Sequence, residues 1–482
     1  MARHASKPAK KTMDYYLCLF AVVLPLRAIV YMTPVVMAGL IANQLGWMGT
    51  PLSLWLAIPL LAYCVIESTF TLYYLHSKEA AQPLHPNPPQ IVTAHAKRSE
   101  PLPSALAFFE KLFAHIDDVP AFLEGHFYGV PFPQLTRVDL SHWCAFAFFS
   151  KSLAQASAEE IDEIHVMVTR MYQLANRVEP PVEPSSPPRK YLQPNLEPFQ
   201  ATARPFVIYF ATMACNAICS MWLRWFGFQL YQATPEIRYW HRPARSTETT
   251  PLVFLHGVGI GLLTYVPLLW KLFVSETNRQ IFLLDMPYIA MQLSDAVPEK
   301  EGTINVITSM LDRHGISTSV HWMGHSFGSI VMSWVCQEKP HLVHYLTFLD
   351  PIVFALWLHD GIYNIMYREP STGFDLILWY FGSQEIGIAR TMRRHLCWYE
   401  SVLFPENLPR HPETKKVLAS IFMSEKDCII NAPAVLAHLK RGAKIADSAT
   451  SVPIHTAMWP GITHGEMILY PSTYADVLST LK

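Results

Sequence analysis

Apolar residues fall along this chain in two regimes. In the first eighty positions they form long runs: residues 15–42 carry one charge, Arg27, and residues 52–75 carry one, Glu67. Both runs exceed the roughly 20 residues a helix needs to cross a bilayer core, so two membrane-spanning helices are predicted. Arg27, Pro25 and Pro34 leave a buried helical hairpin within a large fold as the alternative. Residues 43–51 between the runs are uncharged, whereas the tail before them holds Arg3, Lys7, Lys10 and Lys11. The tail is therefore expected in the cytosol, the connection on the far side, and the chain back in the cytosol by His76. Runs of this length without a small-residue cleavage site read as a retained anchor, whose removal (residues 1–75) should free the rest of the protein.

Beyond the anchor the pattern shortens. Residues 82–90 are proline-rich and read as a linker. Residues 102–178 turn amphipathic; in 158–178 Ile161, Ile164, Val168 and Met171 recur at helical spacing. A second proline-rich stretch, 179–204, cannot continue a helix and predicts an extended tether. Within 205–226, positions 206–223 are uncharged, which predicts a third membrane helix or an interfacial one. A third crossing would carry everything after it to the other side. From 227 to 482 short apolar runs alternate with amphipathic ones, the pattern of an α/β domain. A hairpin is predicted at 228–231 and 237–241, then buried strands at 252–256, 281–285, 319–323, 343–349 and 417–423. Helices are predicted at 303–314, 328–339 and 466–481. The chain thus divides into 1–80 (tail and two candidate transmembrane helices), 81–178 (helical), 179–204 (linker), 205–226 (third apolar helix) and 227–482 (α/β).

Composition sharpens this picture. The chain is 51% hydrophobic and 16% charged, against roughly 25% charged in soluble proteins, which favours a membrane. A net charge of −1 with scattered basic residues gives no electrostatic basis for nucleic-acid binding. Eight cysteines without a C-x-x-C pair argue against a disulfide framework or zinc motif and read as buried thiols. His341 and His344 have the spacing of a metal pair but no third ligand, so no metal or cofactor is expected. No Asn-x-Ser/Thr acceptor occurs, which favours a catalytic region outside the secretory lumen.

Two glycine-rich segments carry the candidate chemistry. Gly324-His325-Ser326-Phe327-Gly328 lies between a predicted strand and a predicted helix. Glycines flanking x-Ser-x suit a tight turn in which side chains would collide and which lifts the serine hydroxyl above the sheet edge. His256-Gly257-Val258-Gly259-Ile260-Gly261 closes the 252–256 strand. Asp350 and Asp427 follow two later strands, and His464 sits in a loop 18 residues from the last position.

With the order Ser, Asp, His, residues 227–482 resemble the α/β-hydrolase superfamily, in particular its membrane-associated serine lipases and esterases. The resemblance implies a mostly parallel central sheet with helices on both faces and a helical lid over about 351–416, where Trp357, Phe374, Trp379 and Phe404 make the segment aromatic. It implies that Ser326 is the nucleophile and His464 the base, with His455 as the rival within an apolar strand. The acid it implies is Asp427 after the seventh strand, with Asp350 after the sixth as the alternative. Backbone N–H groups of Val258 and Phe327 are implied as the oxyanion donors. The expected function is cleavage of carboxylic esters, above all lipid acyl esters, through an acyl-enzyme on Ser326. The bilayer and a hydrophobic acyl ester are the expected partners, and no protein partner is indicated. The alternatives are an inactive membrane scaffold with a hydrolase-like binding domain, and a small-ester esterase or thioesterase.

Overall fold

The computed structural model describes residues 10–84, 104–179, 187–245, 249–445 and 454–481. Most of the 82–90 linker, the start of the basic tail, and Pro180, Pro181 and Pro184 lie outside the described residues.

The strands are short, and the inner ones β3, β4, β5 and β7 are buried on both sides whereas the edge strand β1 is mostly exposed. β1 (Gln229–Gln232), β2 (Arg238–Arg242), β3 (Leu252–Leu255), β4 (Ile281–Asp285), β5 (Val320–His325), β6 (Val343–Leu349), β7 (Ala419–Ser424) and β8 (His455–Trp459) form one sheet. Their order is β1-β2-β4-β3-β5-β6-β7-β8. The β1–β2 and β2–β4 pairs are antiparallel and the rest parallel. This is the mostly parallel central sheet that the resemblance implies. Residues alternate between its faces, as strand geometry requires. Val253, Leu255, Phe282 and Leu284 join one apolar cluster, with Ile304, Ile307, Ile330 and Val331 of helices Lys300–Arg313 and Gly328–Glu338. Leu252, Phe254, Ile281 and Leu283 join the other, with Leu268, Leu272 and Val477 of helices Val266–Ser275 and Pro471–Ser479.

The first cluster continues beyond the sheet. Helices Ala105–Phe113, Val119–His126, Arg137–Phe149 and Ala158–Leu174 contribute Phe109, Leu123, Trp143 and Val168 to it. They also grip the segment after β6: Trp398 Nε1 donates to Ala147 O at 2.9 Å, and His126 Nε2 lies 3.0 Å from Trp357 O.

Among the described residues, three helices are long and apolar enough to cross a membrane: Met13–Gln44, Leu54–Ala80 and Phe206–Trp225. The first runs through Pro25 and Pro34. Pro25 offers no N–H to the preceding turn, and the helix widens into a π turn over Leu19–Val23 just before it.

Several expectations are corrected. The described part of the proline-rich 179–204 stretch is not a free tether: Tyr191, Leu192, Phe199 and Ala201 are buried, and Leu192 N–H donates to His126 O. The predicted last helix, 466–481, is two pieces, Glu466–Leu469 and Pro471–Ser479, because Pro471 holds Tyr470 extended. β7 starts at Ala419 rather than 417, since Val417 bridges antiparallel to Arg410. β5 reaches past 323 into the serine turn. The eight cysteines are free, but Cys18, Cys215 and Cys428 are only half-buried.

The apolar amino-terminal pair is tied at two points to the segment after β6. Asp14 Oδ2 accepts the Gly373 N–H at 2.6 Å, and Thr12 N–H donates to Ser371 O at 3.0 Å. At the end of helix Leu54–Ala80, Arg390 Nη2 donates to Ser77 O at 3.0 Å and Arg394 Nε to Ala81 O at 3.0 Å. Removing residues 1–75 would leave the Gly373 N–H and the Ser371 carbonyl without Asp14 and Thr12, whereas Ser77 and Ala81, which accept from Arg390 and Arg394, would remain.

Candidate active site

Ser326 follows β5 directly, with φ +49°. A non-glycine residue in the left-handed region is strained and persists only when its surroundings fix it. Here Ser326 N–H donates to Leu349 O at 3.0 Å, and its own carbonyl accepts from Ser329 Oγ at 2.6 Å. Both neighbouring glycines are required. A Cβ on Gly324 would lie 2.5 Å from Met332 Sδ, and one on Gly328 would collide with the Leu255 carbonyl.

His464 stands opposite, on the loop after β8. That loop is held by the turn after β7: Glu425 N–H donates to Trp459 O and Lys426 N–H to Ile462 O, both at 2.9 Å. His464 Nε2 lies 2.8 Å from Ser326 Oγ, and its Nδ1 lies 2.6 Å from Asp427 Oδ2. Asp427 is itself fixed, because Oδ1 accepts the Ile429 and Ile430 N–H groups at 2.8 and 2.9 Å. Burial works against the His464 imidazolium, but the Asp427 charge and hydrogen bond, helped by Asp350, outweigh it and hold His464 above its ordinary value. His455 sits at the opposite end of β8, against Ser420 Oγ at 3.0 Å.

Asp350 is close but differently engaged. It is fully buried at φ +42°, and its carboxylate accepts Ser424 N–H (2.6 Å), Ser424 Oγ–H (2.9 Å) and Gly465 N–H (2.9 Å). Burial, reinforced by the Asp427 charge, holds this acid above the usual carboxylate range. Asp350 thus anchors the backbone on both sides of the His464 loop rather than the ring. Asp350, Asp427 and His464 are the one cluster of three potential metal ligands among the described residues. Their oxygens are occupied by the N–H and O–H donors above.

The glycine-rich loop lies beneath the serine. A Cβ on Gly257 would come within 2.8 Å of His325 Nδ1 and 3.0 Å of Ser326 Cβ. His256 locks the loop: Nδ1 lies 2.8 Å from Gly257 O, so it carries the proton, and Nε2 accepts Met286 N–H at 3.0 Å. Burial keeps this ring neutral. Gly259 N–H donates to Ile289 O at 3.0 Å. The Val258 and Phe327 N–H groups donate to no described residue, and Val258 faces the same cavity as Ser326.

Tyr265 carries a role that the sequence did not signal. Its hydroxyl accepts Gly257 N–H at 2.7 Å and lies 2.7 Å from His325 Nδ1. Burial keeps the phenol protonated, so it donates to Nδ1 and leaves the His325 proton on Nε2, 4.0 Å from Asp350 Oδ2. His325 is driven well below its ordinary value by burial and then by His464 and His256, so it stays neutral. A tyrosine nine residues past the loop's histidine fits no motif; only the fold brings it under the serine.

Above Ser326 and His464 is a cavity of 670 Å³, walled by Ile352, Ile365, Leu378, Trp379, Met392 and Ile468. Its charged groups include Arg368 and Asp375, paired at 3.0 Å. Most of the wall comes from the 351–416 insertion, which folds as short helices and π turns, among them Gly373–Leu378, Trp379–Ser383 and Ile386–Arg390.

No protein-family model matches the chain, and no curated protein matches it in sequence. Solved structures do match over part of the chain. A Bacillus subtilis protein to which hydrolase activity is attributed is 15% identical, covering 57% of this chain and 98% of its own, with a TM-score of 0.39. A Bacillus subtilis carboxylesterase is 13% identical over 56% of this chain and 98% of its own, with a TM-score of 0.35. A membrane phospholipase A described as a bacterial virulence factor is 11% identical over 57% of this chain and 93% of its own, with a TM-score of 0.37.

Proposed function

We propose that the protein is a membrane-anchored serine hydrolase that cleaves carboxylic esters, with lipid acyl esters as its substrates and Ser326 as its nucleophile. The observation that carries this reading is the run of two hydrogen bonds from Asp427 through His464 to Ser326, ending at a strained serine beneath an apolar cavity.

A serine hydroxyl is a weak nucleophile until a base takes its proton. His464 Nε2 faces Oγ because Asp427 holds the proton on Nδ1. Oγ attacks the ester carbonyl while its proton passes to Nε2. The carbonyl oxygen becomes an oxyanion between the Val258 and Phe327 N–H groups. As the tetrahedral intermediate collapses, Nε2 returns the proton to the departing alcohol, leaving the acyl group on Ser326. Water then attacks this acyl-enzyme, giving its proton to His464, and the acid leaves as Ser326 is regenerated. Asp427 stays ionised throughout, stabilising the imidazolium rather than accepting its proton.

The cavity supports a greasy acyl group. Its 670 Å³ falls within the ~300–1,000 Å³ typical of ligand sites. Each methylene moved out of water contributes about 0.8 kcal/mol, or roughly fourfold in kcat/KM. Hydrolysis of p-nitrophenyl esters of rising chain length tests this directly. Increasing kcat/KM from acetate upward, abolished by Ser326→Ala, is expected. A preference for acetate would reduce the reading to a small-ester esterase, and full activity in the variant would remove the serine mechanism.

A further inference from the structure

Helix Phe206–Trp225 has its polarity inside out. Its inward stripe is Tyr209, Thr212, Asn216, Cys219 and Leu223, at spacings of three and four, so one face meets the catalytic domain along the whole length. That face carries most of the helix's polar groups. Tyr209 OH donates to Glu385 Oε1 at 2.8 Å, Thr212 Oγ1 lies 3.1 Å from Met291 O, and Cys219 and Leu223 reach the cluster of Phe254 and Leu268. The outward face is Val207, Phe210, Met213, Ile218, Met221 and Trp225, which are 40–88% exposed, and no charge interrupts it before Arg224. In water a surface helix turns its polar face out. The reversal means that the solvent on this side is hydrocarbon.

The helix is also continuous with the membrane pair. Phe206 N–H donates to Glu67 Oε2 at 2.9 Å, and the Phe206 and Tyr209 rings pack on Phe70 at 5.5 and 5.0 Å. From there it stays on the catalytic domain. Its far end stacks Trp222 on Phe273 (5.4 Å) and Trp270 (6.5 Å), an amphipathic aromatic patch suited to a membrane interface. A helix packed along its length on the sheet domain cannot cross the bilayer without dragging that domain into it.

We propose that helix Phe206–Trp225 lies flat in the membrane surface, docking the catalytic domain on lipid so that the cavity mouth opens sideways into the bilayer. The occupant of the exposed face is lipid. Two mouth residues, Phe374 and Leu469, line the cavity yet are 51% and 70% exposed, and neighbouring Tyr470 is 43% exposed. The lid edge at Ser371 and Gly373 is tied to Thr12 and Asp14, where the first membrane helix begins. Arg390 and Arg394 tie the lid to the same-side end of the second. Both ties hold the lid at one membrane surface. An acyl ester resident in that leaflet then reaches Ser326 without entering water. This rests on the serine-hydrolase reading for its substrate but not for its geometry.

The test is a depth profile on the full chain in phosphatidylcholine vesicles, with nitroxide labels on F210C, A214C, A217C, M221C and Y470C, localised by mass spectrometry. A flat helix puts the four helix positions at one shallow depth, about 5–10 Å below the headgroup boundary, with position 470 accessible to oxygen in lipid. A crossing helix puts 214 and 217 at about 15 Å, the middle of the core, with both ends shallow. That profile, or a label at 470 exposed only to aqueous relaxant, would overturn the proposal. Fluorophosphonate labelling of Ser326 in the same vesicles reports the chemistry separately. A labelled serine with a crossing profile rejects the docking alone, and a flat profile with an inert serine rejects the hydrolase reading alone.

Discussion

The turns after β6 and β7 lie side by side, and each buries an aspartate near His464, yet the two acids face different groups. Asp427, three residues beyond β7, takes His464 Nδ1 at 2.6 Å and fixes its other oxygen on two backbone N–H groups. Asp350, one residue beyond β6, is turned at φ +42° beneath Ser424 and Gly465 and takes three donors there. One acid orients the ring; the other holds the loop that carries it. Proximity to a histidine therefore does not identify the acid of a triad, whereas the atoms on which its lone pairs are spent do.

Substitutions at the two positions should separate these roles. Asp427→Asn is expected to cut kcat by about 10⁴ with the fold intact, since the amide no longer enforces the tautomer that the serine needs. It should also move the pH profile. In the proposed mechanism His464 acts as base only when neutral, and Asp427 raises its pKa against burial. Activity should thus fall on the acid side through a limb lying above the ordinary histidine value. In Asp427→Asn the residual activity should show that limb at lower pH, because burial is then opposed only by Asp350. A limb that does not move would break the assignment of Asp427 to the ring.

Asp350→Asn should do the reverse, with a smaller kcat loss than Asp427→Asn but a larger stability loss. Its hydrogen bonds are charge-assisted and buried, worth roughly 1.5–3 kcal/mol each. Denaturant melts of both variants beside their kcat values would show the crossing. Gly465→Ala sharpens the comparison at lower cost. Gly465 has φ +73°, and a Cβ there would come within 3.3–3.4 Å of the His325 ring, so a loss of about 1–2 kcal/mol is expected. The smallest effect belongs to the cavity mouth. Phe374→Ala should flatten the dependence of kcat/KM on acyl length while leaving acetate turnover unchanged, readable from a short ester series.

Much of this arrangement was legible because local sequence dictates it. Gly324 and Gly328 must be small for the serine turn to sit between β5 and Leu255, so the pentapeptide announces the turn. The buried strands were legible from their apolar runs, because a parallel sheet is covered on both faces. The ranking of Asp427 over Asp350 rested on position, and only the backbone conformation after each strand shows where each carboxylate points. Tyr265 was invisible, since its partners Gly257 and His325 lie 8 and 60 residues away. The ties of the amino-terminal helices were hidden for another reason. Apolar runs report affinity for lipid but not the polar ties at helix ends, such as Asp14 to Gly373, that join those helices to the lid.

The central claim is that Ser326 is a nucleophile activated through His464 and Asp427. Covalent capture with a fluorophosphonate, followed by peptide mass spectrometry, tests it most directly. The account predicts one stoichiometric adduct on Ser326, formed far more slowly in Asp427→Asn and absent in Ser326→Ala. An adduct on another residue, or none on a folded protein, would contradict it.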